Sequence, residues 1–317
     1  MTTMRISVVV PTYRRIDLLR RNLHALLHQT LPASCYEIIV VYQDEGDGTA
    51  ELLQALAAQH PHLCYVAEPR PGVANARNAG LQAARGEIVV CTDDDAFAPH
   101  QWLAAILRTF KEVQPTPHIV GGPIVPLVVD RRPSWFRDSY ELRSWGEDAH
   151  FLRPGERRFP TGNVAYRRNL LLAAGGYDPA LGMKGDIMGF AEDDEVYDRL
   201  RLAVEQAGEG VLRAYYQPEA FVWHVVPQEK MRLVYRMKRS FVFGQTQCQL
   251  IARSSPAARA DRFLREFYRL LRAVLRVIAS IPRVSHRGDW VVGYVLPVMR
   301  HAGYVAAALG FRPKLRR

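Results

Sequence analysis

The sequence predicts an α/β fold in which a mostly parallel, Rossmann-like sheet has helices on both faces and is followed by a basic helical segment. Strand-length apolar runs alternate with segments of helical period over residues 5–91. These runs are apolar at nearly every position, which is typical of parallel strands that are buried on both faces. Beyond residue 227 the chain becomes strongly basic and keeps a helical period.

Residues 1–98 contain the most regular alternation. Strands are predicted at Arg5–Pro11, Glu37–Tyr42, Leu63–Val66 and Glu87–Cys91. Helices are predicted between them at Ile16–His28, Gly48–Gln59 and Val73–Ala84. A β-α-β series of this kind predicts a parallel sheet whose ligands bind beyond the carboxyl ends of its strands.

Residues 99–227 are predicted to complete the sheet. A helix is expected at Gln101–Val113, and a strand at Ile119–Val125. Residues 130–160 combine Arg, Trp and Pro with weak periodicity, and we predict a long functional loop there. The remaining elements are predicted as a strand from Thr161 to Tyr166, helices at Arg168–Ala174 and Ala191–Ala207, and strands at Gly210–Tyr216 and Ala220–Val226.

The composition favours a cytoplasmic globular protein. With 317 residues, 48% of them hydrophobic and 23% charged, the chain can bury a large core and is not disordered as a whole. Met1 to Met4 lead directly into the first strand, without a charged and then apolar signal segment. The cysteines show no CxxC or framework spacing, so we expect them to be reduced. They are Cys35, Cys64, Cys91 and Cys248.

The charge is distributed unevenly along the chain. Residues 1–227 hold 23 Lys and Arg against 28 Asp and Glu, whereas residues 228–317 hold 19 against 4. We therefore place the main domain boundary near Pro227. A basic segment of this size indicates an anionic partner, either a membrane surface or a nucleic acid.

Polar side chains follow three of the predicted strands at their carboxyl ends. They are Pro11-Thr12-Tyr13, Gln43-Asp44 and the acidic triplet Asp93-Asp94-Asp95. Because parallel strands end at one edge of a sheet, we expect these side chains to line one crevice. Three adjacent carboxylates repel one another and need a cation, and oxygen ligands suit Mg²⁺ or Mn²⁺ with phosphate oxygens as further ligands. Taken alone, such a triplet is more often a turn that caps the next helix than a metal site, and the surrounding sequence reverses this preference.

The chain lacks the phosphate-binding loops of two large enzyme classes. Neither GxGxxG nor GxxxxGK followed by Ser or Thr occurs after the first strand. A dinucleotide-dependent oxidoreductase and a P-loop NTPase are therefore both disfavoured. The ligand that remains is a nucleotide diphosphate bridged by a metal ion.

Several short motifs occur in a fixed order. They are VVVPTY at the first strand, GVANARNAG leading to GEIVVCTDDD, then GNVAYRR, GGYD, AEDDEV and a late WH. In this order they resemble the family-two inverting glycosyltransferases of the GT-A fold, over about two-thirds of the chain. The resemblance implies a catalytic domain at 1–227, in which residues 1–98 bind a nucleotide-diphospho-sugar and residues 99–227 bind the acceptor.

The resemblance also implies roles for single residues. Asp93 and Asp94 would face the nucleoside, and Asp95 would bind the metal ion, with His224 as a further ligand. Within AEDDEV, Asp193 would be the catalytic base, with Glu192 beside it. Inverting transfer needs a base for the acceptor hydroxyl and a cation for the departing diphosphate. Acids in a first helical turn also suit the helix dipole, and a hydrogen-bonded core histidine would equally explain a His in an apolar strand.

Other candidates have competing explanations. Arg77 either pairs with a carboxylate or phosphate, or is a solvated helix residue. Trp135 and Trp145 either stack on a sugar or pack their loop onto the domain. Asn163 of GNVAYRR is a further acceptor-side candidate.

One departure from the family pattern concerns the donor. The family usually has two acids after its second strand, and the second contacts the nucleotide base; this chain has Tyr42 and Gln43 there. An amide both donates and accepts hydrogen bonds, whereas a carboxylate only accepts. UDP-, GDP- and dTDP-sugars therefore all remain candidate donors.

The basic tail contains an amphipathic pattern within residues 261–281. Its arginines recur at three- and four-residue steps and are Arg262, Arg265, Arg269, Arg272 and Arg276. This spacing predicts one basic stripe on a helix whose remaining surface is largely apolar. Such a helix lies on an anionic membrane surface, packs its apolar side on the catalytic domain, or does both. Trp290–Met299 is apolar but short and contains Pro297, so no transmembrane helix is predicted.

These observations predict a metal-dependent inverting glycosyltransferase. Its donor would be a nucleotide-diphospho-sugar, and its acceptor a hydroxyl of a glycan or lipid-linked glycan in cell-surface polysaccharide synthesis. A sugar-nucleotide nucleotidyltransferase is the alternative enzyme, but it needs a glycine-rich loop after the first strand. A nucleic-acid-binding protein is the third alternative, but the tail lacks zinc-ligand spacing, RRM-like aromatics and a clear helix-turn-helix. We expect a cytoplasmic protein with peripheral membrane contact and no nucleic-acid partner.

Overall fold

The computed structural model describes residues 4–43, 46–252, 255–281 and 286–316. Its strands are β1 (Ile6–Thr12), β2 (Tyr36–Tyr42), β3 (Leu63–Ala67), β4 (Ile88–Thr92), β5 (Ala96–Phe97), β6 (Ile119–Gly121), β7 (Ile124–Val128), β8 (His150–Phe151), β9 (Asn163–Arg167), β10 (Ala214–Tyr216) and β11 (Val222–Val226). Its helices are α1 (Ile16–Leu27), α2 (Thr49–Gln59), α3 (Val73–Ala83), α4 (Trp102–Glu112), α5 (Arg168–Ala173), α6 (Glu192–Gln206), α7 (Leu233–Ile251), α8 (Pro256–Ser280), α9 (Arg287–Trp290) and α10 (Leu296–Ala308). A π-helical turn, Val291–Val295, joins α9 to α10.

The central sheet has eight strands in the order β3-β2-β1-β4-β9-β6-β10-β8. Strands β1 to β4 are mutually parallel, and β9 runs antiparallel to both β4 and β6. The chain extends from β1 to one side through β2 and β3, then returns to add β4 on the other side. In α/β sheets such a change of direction opens a ligand-binding crevice at the carboxyl ends of the two central strands.

Two layers of helices cover the sheet, as the apolar strands require. In β1, Val8 and Val10 belong to the core that contains α1, α2 and α4, whereas Val9 belongs to the core that contains α3, α5 and α6. Helix α3 approaches the sheet most closely at Gly80, where a β-carbon would lie 2.3 Å from Val9 Cγ1. The predicted α/β fold with a mostly parallel sheet is confirmed.

Some predicted elements differ from the structure. The single strand expected at 119–125 is two strands, β6 and β7, in different sheets, because Gly122 and Pro123 interrupt the run. Gly122 itself is pressed against Ala220, whose carbonyl oxygen would lie 1.8 Å from a β-carbon there. The expected loop at 130–160 includes β8, which pairs antiparallel with β10. The strand expected at Gly210–Tyr216 is shorter in the structure and begins at Ala214 as β10. Gly210 has a φ of +80°, which does not occur in a strand.

The chain divides into two compact units. The sheet unit comprises Met1–Leu127, Glu141–Pro179 and Asp193–Val225, and the helical unit comprises Val128–Tyr140, Ala180–Glu192 and Val226–Arg317. Two stretches from before residue 227 thus belong to the helical unit. Within that unit Phe136 shares a small core with Met231, and the ring of Phe190 lies 6.2 Å from that of Phe243.

Helices α7, α8 and α10 dominate the helical unit. Helices α7 and α10 cross at glycines: a β-carbon at Gly244 would lie 1.9 Å from the Arg300 carbonyl oxygen, and one at Gly303 would lie 2.0 Å from that of Phe241. Small residues at a crossing allow two helix backbones to approach this closely. None of the helices in the described ranges has both the length and the apolar character needed to cross a bilayer.

Candidate active site

The acidic triplet follows β4 at the point where the strand order changes direction. Asp94 and Asp95 are buried and Asp93 is half-buried. Thr12, at the end of β1, donates a hydrogen bond from Oγ1 to Asp94 Oδ2 at 2.9 Å. The carboxyl ends of two neighbouring parallel strands therefore meet at the triplet.

Arg15 is the main cation beside the triplet. Its Nη1 donates to Asp94 Oδ1 and to Asp95 Oδ2, at 3.0 Å in each case. Burial lowers the pKa of Arg15, but Asp94 and Asp95 together outweigh burial, so the pKa is raised and the guanidinium stays charged. Burial raises the pKa of Asp94, and Asp95 adds to this rise against the opposing charge of Arg15. Arg14, just before Arg15, has a φ of +53°, which is uncommon for a residue with a β-carbon.

Asp93, Asp95 and His224 form a group that can hold a metal ion. Each offers one ligand atom, and these atoms lie within 4.8 Å of one another. Antiparallel pairing of β11 with β5 places His224 opposite Ala96, next to the triplet, so that His224 Nε2 lies 3.2 Å from Asp95 Oδ1. Two carboxylates and one imidazole fit a divalent ion that also accepts oxygen ligands from a substrate.

Arg77 supplies a second cation. It lies on α3, and its Nη2 donates to Asp93 Oδ1 at 3.0 Å while the side chain is only 3% exposed. The guanidinium also lies over the ring of Tyr177. The alternative of a solvated helix arginine is therefore wrong for the described structure, because the side chain is buried in an ion pair.

Asp193 is held beside the triplet by a two-residue segment. Thr161 Oγ1 donates to Asp193 Oδ1 at 2.6 Å. The next residue, Gly162, lies against the triplet, since a β-carbon there would be 3.0 Å from Asp93 Oδ2. Asp193 and the candidate metal site thus flank the same short segment that leads into β9. Glu192 is the buried first residue of α6.

The predicted donor-side residues at the other strand ends lie in varied surroundings. Pro11 is buried in β1, and Tyr13 is half-buried with the Arg14 guanidinium 5.1 Å from its ring. Gln43 is half-buried just after β2, and its Nε2 lies 3.5 Å from the Pro69 carbonyl oxygen. Asp44 lies outside the described residues.

The three acceptor-side candidates have different surroundings. Asn163 is buried, donates to the carbonyl oxygens of Pro123 and Ala220, and accepts from Trp102 Nε1. Trp145 packs edge-on against Phe159 in the sheet unit. Trp135 belongs to the helical unit and packs there on Gly288. Their acceptor roles stay predictions.

Sequence reasoning missed Arg15 and Thr161. Each had a local signal: Arg15 stands three residues after Thr12 in the first strand's motif, and Thr161 precedes the GNVAYRR motif. The spacing of these residues gave no direct indication that they would hold two different acidic clusters. That relation depends on β9 inserting antiparallel between β4 and β6.

The fold and the site together define a class. A large, mostly parallel sheet of this kind with helices on both faces matches the fold of solved GT-A glycosyltransferases. The solved mannosyltransferase PcManGT from Pyrobaculum calidifontis, in complex with GDP-Man and Mn²⁺, superimposes with a TM-score of 0.62 at 24% identity, covering 98% of this chain and 87% of that one. The structure of S. aureus TarS 1–349 in complex with UDP-GlcNAc superimposes with a TM-score of 0.57 at 17% sequence identity. The match covers 98% of this chain and 92% of that one.

The sequence comparisons identify the family. The family model described as glycosyl transferase family 2 matches residues 7–173, and the chain belongs to that family. The glucosyl-dolichyl phosphate glucuronosyltransferase of Haloferax volcanii is 27% identical over 252 residues, which cover 77% of this chain and 76% of that protein. The succinoglycan biosynthesis protein ExoM of Rhizobium meliloti is 25% identical over 98% of this chain and 94% of its own length. The protein is therefore a glycosyltransferase.

Proposed function

We propose that this glycosyltransferase is metal-dependent and inverting, and that it uses a nucleotide-diphospho-sugar. The observation that carries the proposal is the convergence of Asp93, Asp95 and His224 at the switch point of the sheet, with Asp193 held nearby by Thr161. The nucleotide-sugar ligands of the two solved structures support a donor of this class. The unpaired state of all four cysteines supports a cytoplasmic location.

The proposal assigns a role to each residue of the site, and the geometry supports these roles. Asp93, Asp95 and His224 would hold Mg²⁺ or Mn²⁺, and the imidazole makes Mn²⁺ the better match because nitrogen ligands suit transition metals. When bound, the ion supplies positive charge to the departing diphosphate. Asp193 accepts the proton of the acceptor hydroxyl as that oxygen attacks the anomeric carbon from the opposite face. Thr161 orients the Asp193 carboxylate for this step.

We further propose a lipid-linked glycan as the acceptor, in the synthesis of a cell-surface polysaccharide. The names of two relatives support this: one acts on a glucosyl-dolichyl phosphate, and the other takes part in succinoglycan biosynthesis. The surface of the helical unit supports it independently, as described below.

A donor screen tests the reaction. Release of nucleotide from UDP-, GDP- and dTDP-sugars is measured with Mn²⁺, with Mg²⁺ and with EDTA. We expect one nucleotide class to be turned over with Mn²⁺ and none with EDTA. The anomeric configuration of the product, determined by NMR, should be opposite to that of the donor. Turnover that survives EDTA removes the metal role, and a retained configuration removes the inverting mechanism.

Helix α8 exposes an apolar stripe that supports peripheral membrane association. Its large apolar side chains are between 38% and 66% exposed and comprise Leu264, Phe267, Tyr268, Leu271, Val274, Leu275 and Ile278. The buried positions of the helix are instead Glu266, Ala273 and Ser280. The apolar side of α8 is therefore exposed, and its buried side carries Glu266 and two small residues.

The arginines of α8 complete this surface. Arg265 and Arg269 have side chains 56% and 50% exposed, next to the apolar stripe. A helix with an exposed apolar face and a basic flank can lie in a lipid interface, where each arginine contributes about 1 kcal/mol at an anionic surface. We propose that this surface binds an anionic membrane.

Vesicle flotation tests the membrane contact. The protein should float with anionic vesicles, and salt should weaken this binding. Leu271→Asp combined with Leu275→Asp should abolish flotation, because two charges would enter the apolar stripe. Val211→Asp, at another exposed apolar position (76%), is the matched control and should still float. Equal recovery in the supernatant with and without anionic vesicles would overturn the proposal.

A further inference from the structure

The helical unit contains a cavity that the proposed reaction does not use. It has a volume of about 330 Å³ and lies between α7, α8 and α10. Ligand pockets commonly measure about 300–1,000 Å³. The residues that matter here are Arg262, Glu266 and Arg269 of α8 and Arg300, His301 and Tyr304 of α10. We name it the arginine cavity.

A smaller cavity of about 150 Å³ adjoins it along α8. The two share Arg269 and His301, and the smaller one adds Arg272, Arg276 and Tyr294. Five arginines therefore line the pair of cavities. Like charges at this density repel one another unless anions lie among them.

Glu266 is the one acidic residue among the described residues that line either cavity. It is buried, and its carboxylate is already shared among three partners. Arg269 Nη1 lies 2.7 Å and Arg262 Nη2 lies 3.2 Å from Oε1, while His301 Nδ1 lies 2.6 Å from Oε2. Three guanidinium groups and this one carboxylate line the arginine cavity, so the lining itself carries more positive than negative charge.

One donor in the cavity wall also lacks a partner. Arg262 Nε is buried and has no hydrogen-bond acceptor within the described ranges of the chain. Buried donors are nearly always hydrogen-bonded, so an orphaned one marks a place where a ligand or water accepts. Arginine donors recognise phosphate particularly well, because their planar forks match its oxygens.

We propose that the arginine cavity binds the phosphate group of a lipid. Phosphate supplies the negative charge and the acceptor oxygens that the lining lacks. The lipid source follows from position, since α8 carries both the cavity wall and the apolar stripe. The two sides of the helix are linked by Arg272, whose guanidinium lies 5.7 Å from the ring of Tyr268 in the stripe. The proposal extends the membrane contact to a defined site but needs no catalytic residue, so it and the proposed reaction can fail separately.

The test compares vesicles that differ only in the chemistry of their negative charge. Phosphatidylcholine vesicles containing phosphatidic acid are matched in surface charge with vesicles containing oleate, which carries a carboxylate. The full-length protein should bind the phosphatidic acid vesicles at least about tenfold more tightly, since charged hydrogen bonds to phosphate are gained. Inorganic phosphate is titrated in parallel as the free-phosphate arm.

Variants assign this preference to the cavity. Arg269→Gln combined with Arg300→Gln should reduce it by about tenfold or more. Arg265→Gln is the matched control, because Arg265 lies on the same helix and is exposed, outside both cavities. The preference should survive that change, and turnover of the nucleotide sugar without vesicles should survive all of them.

Several outcomes would overturn the proposal. One is an equal affinity of the wild type for the two vesicle types, and another is a preference that persists in the double variant. Saturable binding of inorganic phosphate without any vesicle preference would assign the cavity to free phosphate instead. If the double variant does not fold, hydrogen exchange of the wild type decides: residues 262–269 and 300–304 should become protected by phosphatidic acid vesicles, and absence of that protection counts against the proposal.

Discussion

The acidic triplet of the sheet unit and the arginine cavity of the helical unit have opposite charges but a similar construction. At the triplet, three carboxylates meet the guanidinium groups of Arg15 and Arg77. In the cavity, the carboxylate of Glu266 meets the guanidinium groups of Arg262 and Arg269. Each place is partly neutralised from within and keeps an excess of one sign. The excess is negative where a cation is proposed to bind and positive where a phosphate is proposed to bind.

The two places differ in how their charges are held. The triplet follows the buried central strand β4, and its neighbours Thr12 and His224 lie on β1 and β11. Backbone hydrogen bonds between paired strands in both sheets therefore fix the geometry of the site. The cavity lies between helices, where side-chain packing alone sets the distances. A site for chemistry needs the more rigid support, since small displacements of reacting groups cost rate. A site that only binds a head group tolerates the softer one.

The largest expected effect concerns Asp193, because the comparison of the two charged places predicts a catalytic role beside the triplet and only a binding role in the cavity. Asp193→Asn should lower kcat by about 10²–10⁴-fold, because an amide cannot accept the proton of the acceptor hydroxyl. The donor Kd should change little, since binding and proton removal are separate tasks. A nucleotide-release assay measures kcat, and a titration with the donor measures its Kd.

Asp198→Asn is the control for this change. Asp198 lies on the same helix, is 59% exposed and pairs with Arg158. Its replacement should leave kcat within about twofold of wild type, as expected for a surface ion pair. A near-normal rate in Asp193→Asn would move the base elsewhere, with Glu192 as the first candidate.

A somewhat smaller effect is expected at Asp95. Asp95→Asn leaves two carboxylates against two arginines, so the excess negative charge of the triplet disappears. Metal-dependent turnover should fall by about 10²–10³-fold, since a bound ion contributes several kcal/mol to such a reaction. The melting temperature should stay close to wild type, because Arg15 keeps its bond to Asp94.

Metal titration decides this prediction. The variant should need much more Mn²⁺ to reach half-maximal activity, whereas Asp17→Asn, at an exposed position in the first turn of α1, should not. Full activity of Asp95→Asn with an unchanged Mn²⁺ requirement would end the metal assignment.

The fold could be predicted from the sequence because most of its longer strands can be recognised from their own residues. Runs such as SVVV and EIIVV need burial on both faces, and Gly and Pro residues punctuate them. The prediction was less accurate where an element depends on distant partners. The short strands β5 and β8 have only two residues each, so nothing in their own sequence marks them, and they exist because β11 and β10 lie beside them.

The candidate site was predictable for the same reason and only to the same extent. The triplet, Asp193 and His224 stand in motifs, but the ion pairs of Arg15 and Arg77 depend on tertiary packing. The tail shows the limit most clearly. The spacing of its arginines predicted one basic stripe along the helix. In the structure, Glu266 is buried and pairs with arginines of that stripe, whereas the apolar side of the helix is exposed. No local pattern states which side of an amphipathic helix packs.

The smallest expected effect tests whether Glu266 holds the arginine cavity together as the arginines hold the triplet. Burial raises the pKa of Glu266, but the hydrogen bond with His301 and the charge of Arg262 outweigh burial, so the pKa lies below its usual value. The ionised carboxylate therefore stabilises the fold. Glu266→Gln should reduce the free energy of unfolding by about 1–3 kcal/mol at pH 7, because buried donors lose a charged acceptor.

The stability that Glu266 contributes should depend on pH, and the lowered pKa determines the direction of that dependence. A carboxylate with a lowered folded pKa contributes stability above its unfolded pKa of about 4.3, and loses it as the pH falls through the lower folded value. The melting temperatures of wild type and Glu266→Gln should therefore differ by a constant amount near neutral pH and converge in acid. Glu205→Gln, which removes an exposed ion pair with Arg201, should cost no more than about 0.5 kcal/mol. If Glu266→Gln melts like wild type at pH 7, the arginines need no internal carboxylate. The resemblance in construction between the two charged places would then be wrong.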